Sequence, residues 1–436
     1  MSQEPVEATE KVVEGKRKSW VIDVRPLRGV AYRRMWVGNG VAYFGFQFTS
    51  VAVPVEMFAI THSSAWVGLL GIAGLVPLLI FGLWGGAAAD VVDRRKLLLA
   101  SSTLAWIATV GLLVQAVLGL HSPIVLLALT AIQSAGFAIS SPARQAIIPR
   151  IVPADLVPAA NTLAYTTTTA GGVLGPLAAG LIFGAWSVDT GVTVAYAVDA
   201  LLFTISFWAT YRLPPIPPVL DDGVTEKPTA GLRGIADGLR FLVKQPVLLL
   251  SFAVDIIAMV LAMPRALFPE IAEDRFGGGS AVGWLFAAIA IGSVIGGLTS
   301  GWIGRIKRQG VALVIAVVGW GVAVGLAGLA HSLWLMVLLL AVGGAADLVS
   351  AVYRQSILQT FAPDRLRGRL QGVFTVVVAG GPRLGDLRAG ATADITGPTA
   401  SWAGGGFAAA GLAVVLALAF PALLRYRPPA DAEVTR

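Results

Sequence analysis

The chain has 436 residues, of which 56% are hydrophobic and only 13% are charged. Soluble domains carry about 25% charged residues, so this composition excludes an ordinary soluble protein and predicts a membrane protein. The sequence contains no cysteine, which excludes disulfides, iron–sulfur clusters and thiolate zinc sites. The net charge of +7 indicates basic loops on one side of a membrane and no nucleic-acid partner, because no soluble basic domain or reading motif is present.

The apolar segments predict an all-α membrane protein with twelve transmembrane helices, since about 20 apolar residues are needed for each crossing. Residues 1–34 have no apolar signal core, so we interpret them as a cytoplasmic tail. The predicted helices are 35–60, 67–89, 97–119, 123–147, 159–184, 192–212, 247–270, 281–303, 311–330, 333–358, 370–394 and 401–425.

Basic residues follow the second, fourth, eighth and tenth helices, whereas the loops at 61–66, 120–122 and 331–332 contain no Lys or Arg. The basic residues are Arg94, Arg95, Lys96, Arg150, Arg305, Lys307, Arg308, Arg365, Arg367 and Arg369. By the positive-inside rule, these loops and both termini are expected in the cytoplasm, with the protein in the inner or plasma membrane.

The longest polar stretch, 213–246, lies between the sixth and seventh helices. Its first part is rich in proline and cannot form a helix. Its second part places Leu232, Ile235, Leu239 and Leu242 on one helical face. This pattern predicts an amphipathic helix on the inner membrane surface.

The two halves of the chain repeat one another. Val67-Gly68 recurs as Val282-Gly283, and further along Arg144-Gln145 recurs as Arg354-Gln355. The glycines of the fifth helix also recur in the eleventh. The repeat predicts two six-helix bundles, 35–212 and 247–425, joined by the linker and followed by a cytoplasmic tail, 426–436. Such repeats are typical of major facilitator transporters.

The segment from Gly86 to Lys96 resembles the major facilitator signature between helices two and three, G-x-x-x-D-R-x-G-R-R, with Val91 and Asp93 as departures. The resemblance implies that a cytoplasmic gate motif latches one arrangement of the two halves. Its residues are Gly86, Asp90, Arg94 and Arg95. The alternative is that these residues mark only the topology.

In the fifth helix, Gly171, Gly175, Pro176 and Gly180 resemble the antiporter motif of proton-coupled drug exporters, G-x-x-x-G-P-x-x-G. Proline bends a helix and frees a carbonyl group, and glycines allow close helix packing. The resemblance implies an exporter. The alternative is generic packing by small residues.

The segments 51–68, 262–273 and 298–301 resemble the enterobactin exporter group of the superfamily, and 142–156 is typical of the wider family. The resemblance implies a protein of the lipid bilayer that exports a catecholate siderophore or a similar amphipathic small molecule, driven by proton entry. The proton gradient would be the energy source, no cofactor is expected, and a functional monomer would suffice. No P-loop, HExxH or GxSxG motif occurs, so the sequence does not predict an enzyme.

Charged residues at membrane depth are candidates for function, because their insertion costs free energy. Asp255, Asp347 and Arg383 fall within the predicted hydrocarbon region, and Asp386 can pair with Arg383 three residues away. Burial favours a neutral carboxylate and a nearby Arg favours an ionised one, so these residues predict a proton-coupling site. The alternative is a static buried ion pair.

Possible substrate contacts are Tyr43 and Gln47 in the first helix, Glu56 near its outer end, and Arg265 near the outer end of the seventh helix. Lipid or helix packing is the alternative for the aromatic ring, and Glu56 could simply reach interfacial water. We expect Arg354, like Arg144, to snorkel or to pair with the region of Asp90. Multidrug efflux and a non-transporting receptor or scaffold remain alternatives to siderophore export.

Overall fold

The computed structural model describes residues 23–214, 240–362 and 364–427. The secondary structure of these residues is helical, with no strand among them. The α-helices are α1 (Val30–Thr61), α2 (Ser64–Val91), α3 (Arg94–Val117), α4 (Pro123–Ile151), α5 (Val157–Ala185), α6 (Val188–Tyr211), α7 (Pro246–Ala262), α8 (Phe268–Phe276), α9 (Ala281–Leu298), α10 (Gln309–Leu329), α11 (Leu333–Phe361), α12 (Asp364–Thr396), α13 (Pro398–Ala419) and α14 (Ala422–Arg425).

Eleven helical segments in the described part of the chain are long and apolar enough to cross a membrane, with α7 and α8 counted as one segment. The sequence predicted twelve crossings. The remaining long helix is α12, which carries Arg383, Asp386, Arg388 and Asp394 along its second half. Those charges lower its hydropathy below that of its neighbours.

The prediction of one continuous helix over 247–270 is wrong. α7 ends at Ala262, Met263 adopts extended angles (φ −71°, ψ 119°), and a 3₁₀ turn, Arg265–Leu267, leads into α8. The cause is Pro264, because proline lacks an N–H and disfavours helical angles in the residue before it.

The predicted amphipathic linker helix falls mainly outside the described residues, since 215–239 are not described. The described part, 240–244, is helical and buries Leu242.

The helices α1–α6 pack against one another in a pattern that α7–α13 repeat. α1 packs on α5 and α6, and α7 likewise packs on α12 and α13. α2 and α3 pack on α4, as α9 and α10 pack on α11. The first group (α1–α6) meets the second group (α7–α13) mainly where α2 packs on α12 and α5 packs on α9.

These contacts between the groups are tight at one end of the molecule. A Cβ atom on Gly71 of α2 would collide with the backbone of Arg383 in α12, and one on Gly180 of α5 would collide with Gly283 of α9. Only glycine permits backbones to approach this closely. Both contacts lie towards the end that carries residues 62–63, which we call the closed end.

Candidate transport site

Three charged side chains meet between α7 and α11. Arg354 Nη1 pairs with Oδ1 of Asp255, and Arg354 Nη2 lies 3.6 Å from Oδ1 of Asp347. The side chains of Asp255 and Arg354 are only 3% and 4% exposed, whereas that of Asp347 is 31% exposed. The expectation that Arg354 snorkels or pairs near Asp90 is therefore wrong. We call Asp255, Arg354 and Asp347 the charged trio.

The helical repeat explains why the trio forms. Asp347 and Arg354 are seven residues apart in α11, which is about two helical turns, so they lie on one face. Asp255 lies in the middle of α7, which packs against α11. With both carboxylates ionised, the trio carries a net charge of −1, so uptake of one proton makes it neutral. The i, i+7 spacing was the signal in the sequence that could have linked Arg354 to Asp347.

A second polar cluster surrounds the break between α7 and α8. The Ala266 N–H donates to Asp386 Oδ1 at 3.3 Å, and Arg388 donates to the carbonyl oxygens of Val260 and Leu261. The carbonyl groups freed at the end of α7 thus find a partner in α12, as buried backbone groups require. The sequence analysis did not single out Arg388, although its depth in the predicted eleventh helix was a usable signal.

The predicted pairing of Arg383 with Asp386 is not among the ion pairs of the described residues. Arg383 Nη1 instead donates to the carbonyl oxygen of Ala379 at 3.1 Å. Arg265 is exposed and interacts electrostatically with Asp347, Asp386 and the Tyr43 hydroxyl. The break therefore presents Arg265 to the space between α1, α11 and α12.

The small residues of α5 form contacts with two other helices, α1 and α9. Gly171 packs against the ring of Tyr43, and Gly175 packs against the side chain of Gln47, both in α1. Pro176 and Gly180 face Gly283 of α9 in the second group. These small residues let α5 approach both neighbours closely.

Glu56 lies away from this space. Its carboxylate accepts hydrogen bonds from Gln115 Nε2 at 2.7 Å and from the Tyr196 hydroxyl at 2.6 Å, and the residue is 6% exposed. It lines a separate cavity of about 290 Å³ near His121 and Asp189. The expectation that Glu56 reaches interfacial water is therefore replaced by a buried network among α1, α3 and α6.

The predicted gate motif spans the end of α2 and the start of α3. Gly86 and Asp90 belong to α2, but their side chains lie outside what the structure describes. Arg94 is the first residue of α3. Arg95 Nη2 donates to the carbonyl oxygen of Tyr211 at 2.6 Å, which joins α3 to the end of α6.

Two similarly packed groups of helices enclose buried charges, and this is the fold of a major facilitator transporter. The protein is therefore a membrane transporter and not an enzyme. The family model described as transmembrane secretion effector matches residues 22–433, and the chain belongs to this family of the major facilitator superfamily.

Relatives and solved structures agree with this assignment. The chain is 29% identical to the enterobactin exporter EntS of Shigella boydii serotype 18 over 423 residues, covering 95% of this chain and 98% of that protein. EntS of Escherichia coli O81 is 28% identical over the same length. The fold resembles the nucleoside transporter NupG, with a TM-score of 0.71, 18% identity, and coverage of 91% of this chain and 100% of that one. It also resembles a bacterial homologue of the human lysosomal transporter Spinster, in an inward-facing, unoccupied conformation (TM-score 0.67, 19% identity, covering 92% and 97%).

Proposed function

We propose that this transporter is a proton-coupled exporter of a siderophore or a similar small amphipathic molecule. The observation that carries the proposal is the charged trio, in which one guanidinium group is shared by a buried carboxylate and a half-buried one. A static ion pair requires only one carboxylate. The second carboxylate gives the site an unbalanced charge that a proton can neutralise.

Asp347 is the proposed proton carrier, and Asp255 the fixed partner of Arg354. Asp347 is 31% exposed and lies farther from the guanidinium group, so protons can reach it. Asp255 is buried against Arg354, and an ion pair at this depth is costly to separate. When Asp347 binds a proton, Arg354 and Asp255 remain as a neutral pair, which lowers the cost of closing low-dielectric protein around the site.

The proposed substrate class follows from the relatives and from the charges near the break. Enterobactin exporters are 28–29% identical over 95% of the chain. Arg265 is exposed to the space between the groups, and Arg383 lies beside it in electrostatic range. Cations of this kind suit an anionic substrate, and Tyr43 offers a ring for stacking.

We also propose that α12 crosses the membrane as the twelfth span, because it packs against both α2 and α7 in the structure. The two six-helix bundles would then be 35–212 and 247–425, with the gate motif at the cytoplasmic side. The protein would act as a monomer. Basic residues after α2 and α9 support cytoplasmic termini, so the closed end would face outwards.

The test is to delete the gene, grow the cells in iron-poor medium, and measure secreted and intracellular iron chelator. The expected result is less chelator in the medium and more inside the cell, with secretion restored by the wild-type gene but not by Asp347→Asn. Normal secretion together with new sensitivity to unrelated hydrophobic drugs would contradict siderophore export and favour multidrug efflux.

A further inference from the structure

A cavity of about 270 Å³ lies within the first group, between α1, α4 and α5. An apolar cavity of about 150 Å³ accommodates a benzene ring, so this volume is sufficient for a substituted ring. Its wall combines aromatic rings with polar side chains. The lining residues that carry the argument are Tyr32, Trp36, Tyr43, Phe137 and Arg144.

Two N–H donors of residues that line this cavity have no acceptor among the described residues. Arg144 Nε and Trp36 Nε1 are both buried and make no hydrogen bond within the part of the chain that the structure describes. The hydrogen bond that Arg144 does make within the described chain is a long one, from Nη2 to Ser140 Oγ at 3.4 Å. Buried polar groups are normally paired, and an unpaired donor is costly. Rotation of the two side chains would turn these donors towards the cavity, where a ligand that supplies acceptors would remove this cost.

The charge of the cavity specifies the ligand further. Arg144 is the one charged residue among the described residues that line it, and it makes their net charge positive. Phe137 is 48% exposed and its ring is available for stacking. An arginine guanidinium binds carboxylates and phenolates through paired, charge-assisted hydrogen bonds. Aromatic walls with an unpaired cation suit an aromatic anion better than a lipophilic cation.

We propose that this cavity binds an aromatic ring carrying an acidic oxygen, a carboxylate or a phenolate. Arg144 donates to the acidic oxygen, Trp36 Nε1 donates to a second oxygen, and Phe137 and Tyr43 contact the ring. Tyr43 also interacts electrostatically with Arg265, so it connects this cavity to the space beside the second group. A role of the cavity in transport rests on the proposed function. Binding of the ring to the cavity does not depend on transport.

The test measures equilibrium binding to purified protein in nanodiscs, with radiolabelled salicylate as the anionic probe and salicylamide as its neutral counterpart. Arg144→Gln should weaken salicylate binding at least about tenfold, because a charge-assisted hydrogen bond is lost. Salicylamide affinity should stay within about twofold, which also shows that the cavity is intact. Trp36→Phe should weaken both probes. Arg33→Gln removes the same charge from an exposed position on α1 and should bind both probes normally.

Equal salicylate affinity in wild type and Arg144→Gln would overturn the proposal, as would no wild-type binding at millimolar concentration. Arg144→Lys separates charge from geometry: it should bind salicylate more tightly than Arg144→Gln and less tightly than wild type. Proton-driven transport is measured separately in proteoliposomes. Arg144-dependent binding without proton-driven transport would contradict the proposed function and leave the binding site standing.

Discussion

The Ser63 hydroxyl donates a hydrogen bond of 2.6 Å to Oδ2 of Asp394, so the start of α2 is joined to the last turns of α12. The Ala65 N–H also donates to Asp394, and the Ser64 hydroxyl donates to Glu270 of α8. Two carboxylates from the second group thus lie at the positive N-terminus of a 28-residue helix of the first group. These contacts close one end of the molecule between its two groups.

Cross-linking Ser63 to Asp394 should arrest transport. In Ser63→Cys/Asp394→Cys, a short thiol cross-linker should join the two positions and hold the closed end shut, because alternating access requires the groups to separate there. Transport in proteoliposomes should fall to background and recover after cleavage of the cross-link. Ser63→Cys/Lys307→Cys pairs positions from opposite predicted sides and should not cross-link. Full transport by completely cross-linked protein would rule out opening at this contact.

Asp347→Asn should abolish proton-driven transport and preserve substrate exchange. Asn retains the shape of the side chain but cannot titrate, so only the coupling is lost. Transport with and without a proton gradient, compared with counterflow, separates the two activities. Asp274→Asn, at an exposed position in α8, is the matched control and should behave as wild type. A wild-type response to the gradient in Asp347→Asn would refute the proposed carrier.

Asp255→Asn should destabilise the protein, because Arg354 loses its buried partner and keeps only the longer contact of 3.6 Å with the half-buried Asp347. Breaking a buried pair on one side costs about 3–5 kcal/mol, whereas replacing both partners costs less. Thermal unfolding should therefore show a large loss in Asp255→Asn and a substantial recovery in Asp255→Asn/Arg354→Gln. If the double variant is as unstable as the sum of the two single variants, the two residues do not act as a pair.

Gly180→Val should weaken the contact between α5 and α9 at the closed end. Its side chain would meet the backbone of Gly283, which cannot move aside as a flexible side chain can. A cysteine introduced in the space between the groups should then react faster with impermeant maleimide from outside. Gly404→Val is the control, since no atom of the described residues lies within 4 Å of a Cβ atom there. Unchanged labelling in Gly180→Val would show that the α5–α9 contact does not control access.

Single cysteines should report the orientation without background, because the chain has none of its own. Asp93→Cys and Lys307→Cys should be protected from impermeant maleimide in intact cells and should react after the cells are opened. His121→Cys, in a loop without Lys or Arg, should react in both. Labelling of the cysteine at 93 from outside intact cells would contradict the proposed topology, which places this residue in the cytoplasm.

The sequence by itself determined the class of protein and much of its internal plan. Apolar runs of about 20 residues can bury their backbone groups in lipid only as helices, so hydropathy alone is enough to predict a bundle of spans. The glycines of the fifth helix and the charges at Asp255 and Asp347 were also recognisable, because each is costly or unusual in a transmembrane helix.

Only the tertiary structure decided which side chains meet. Helical periodicity assigns a residue to a face but not to a neighbour, so Arg354 had no predicted partner in Asp255 until α7 and α11 were placed side by side. In the same way, the rotation of α1 turned Glu56 towards Gln115 and Tyr196. The break at Pro264 turned Arg265 towards the space between the groups. Arg388 donates a hydrogen bond to the carbonyl oxygen of Val260 near this break. These relationships depend on distances between residues far apart in the chain, which no local pattern encodes.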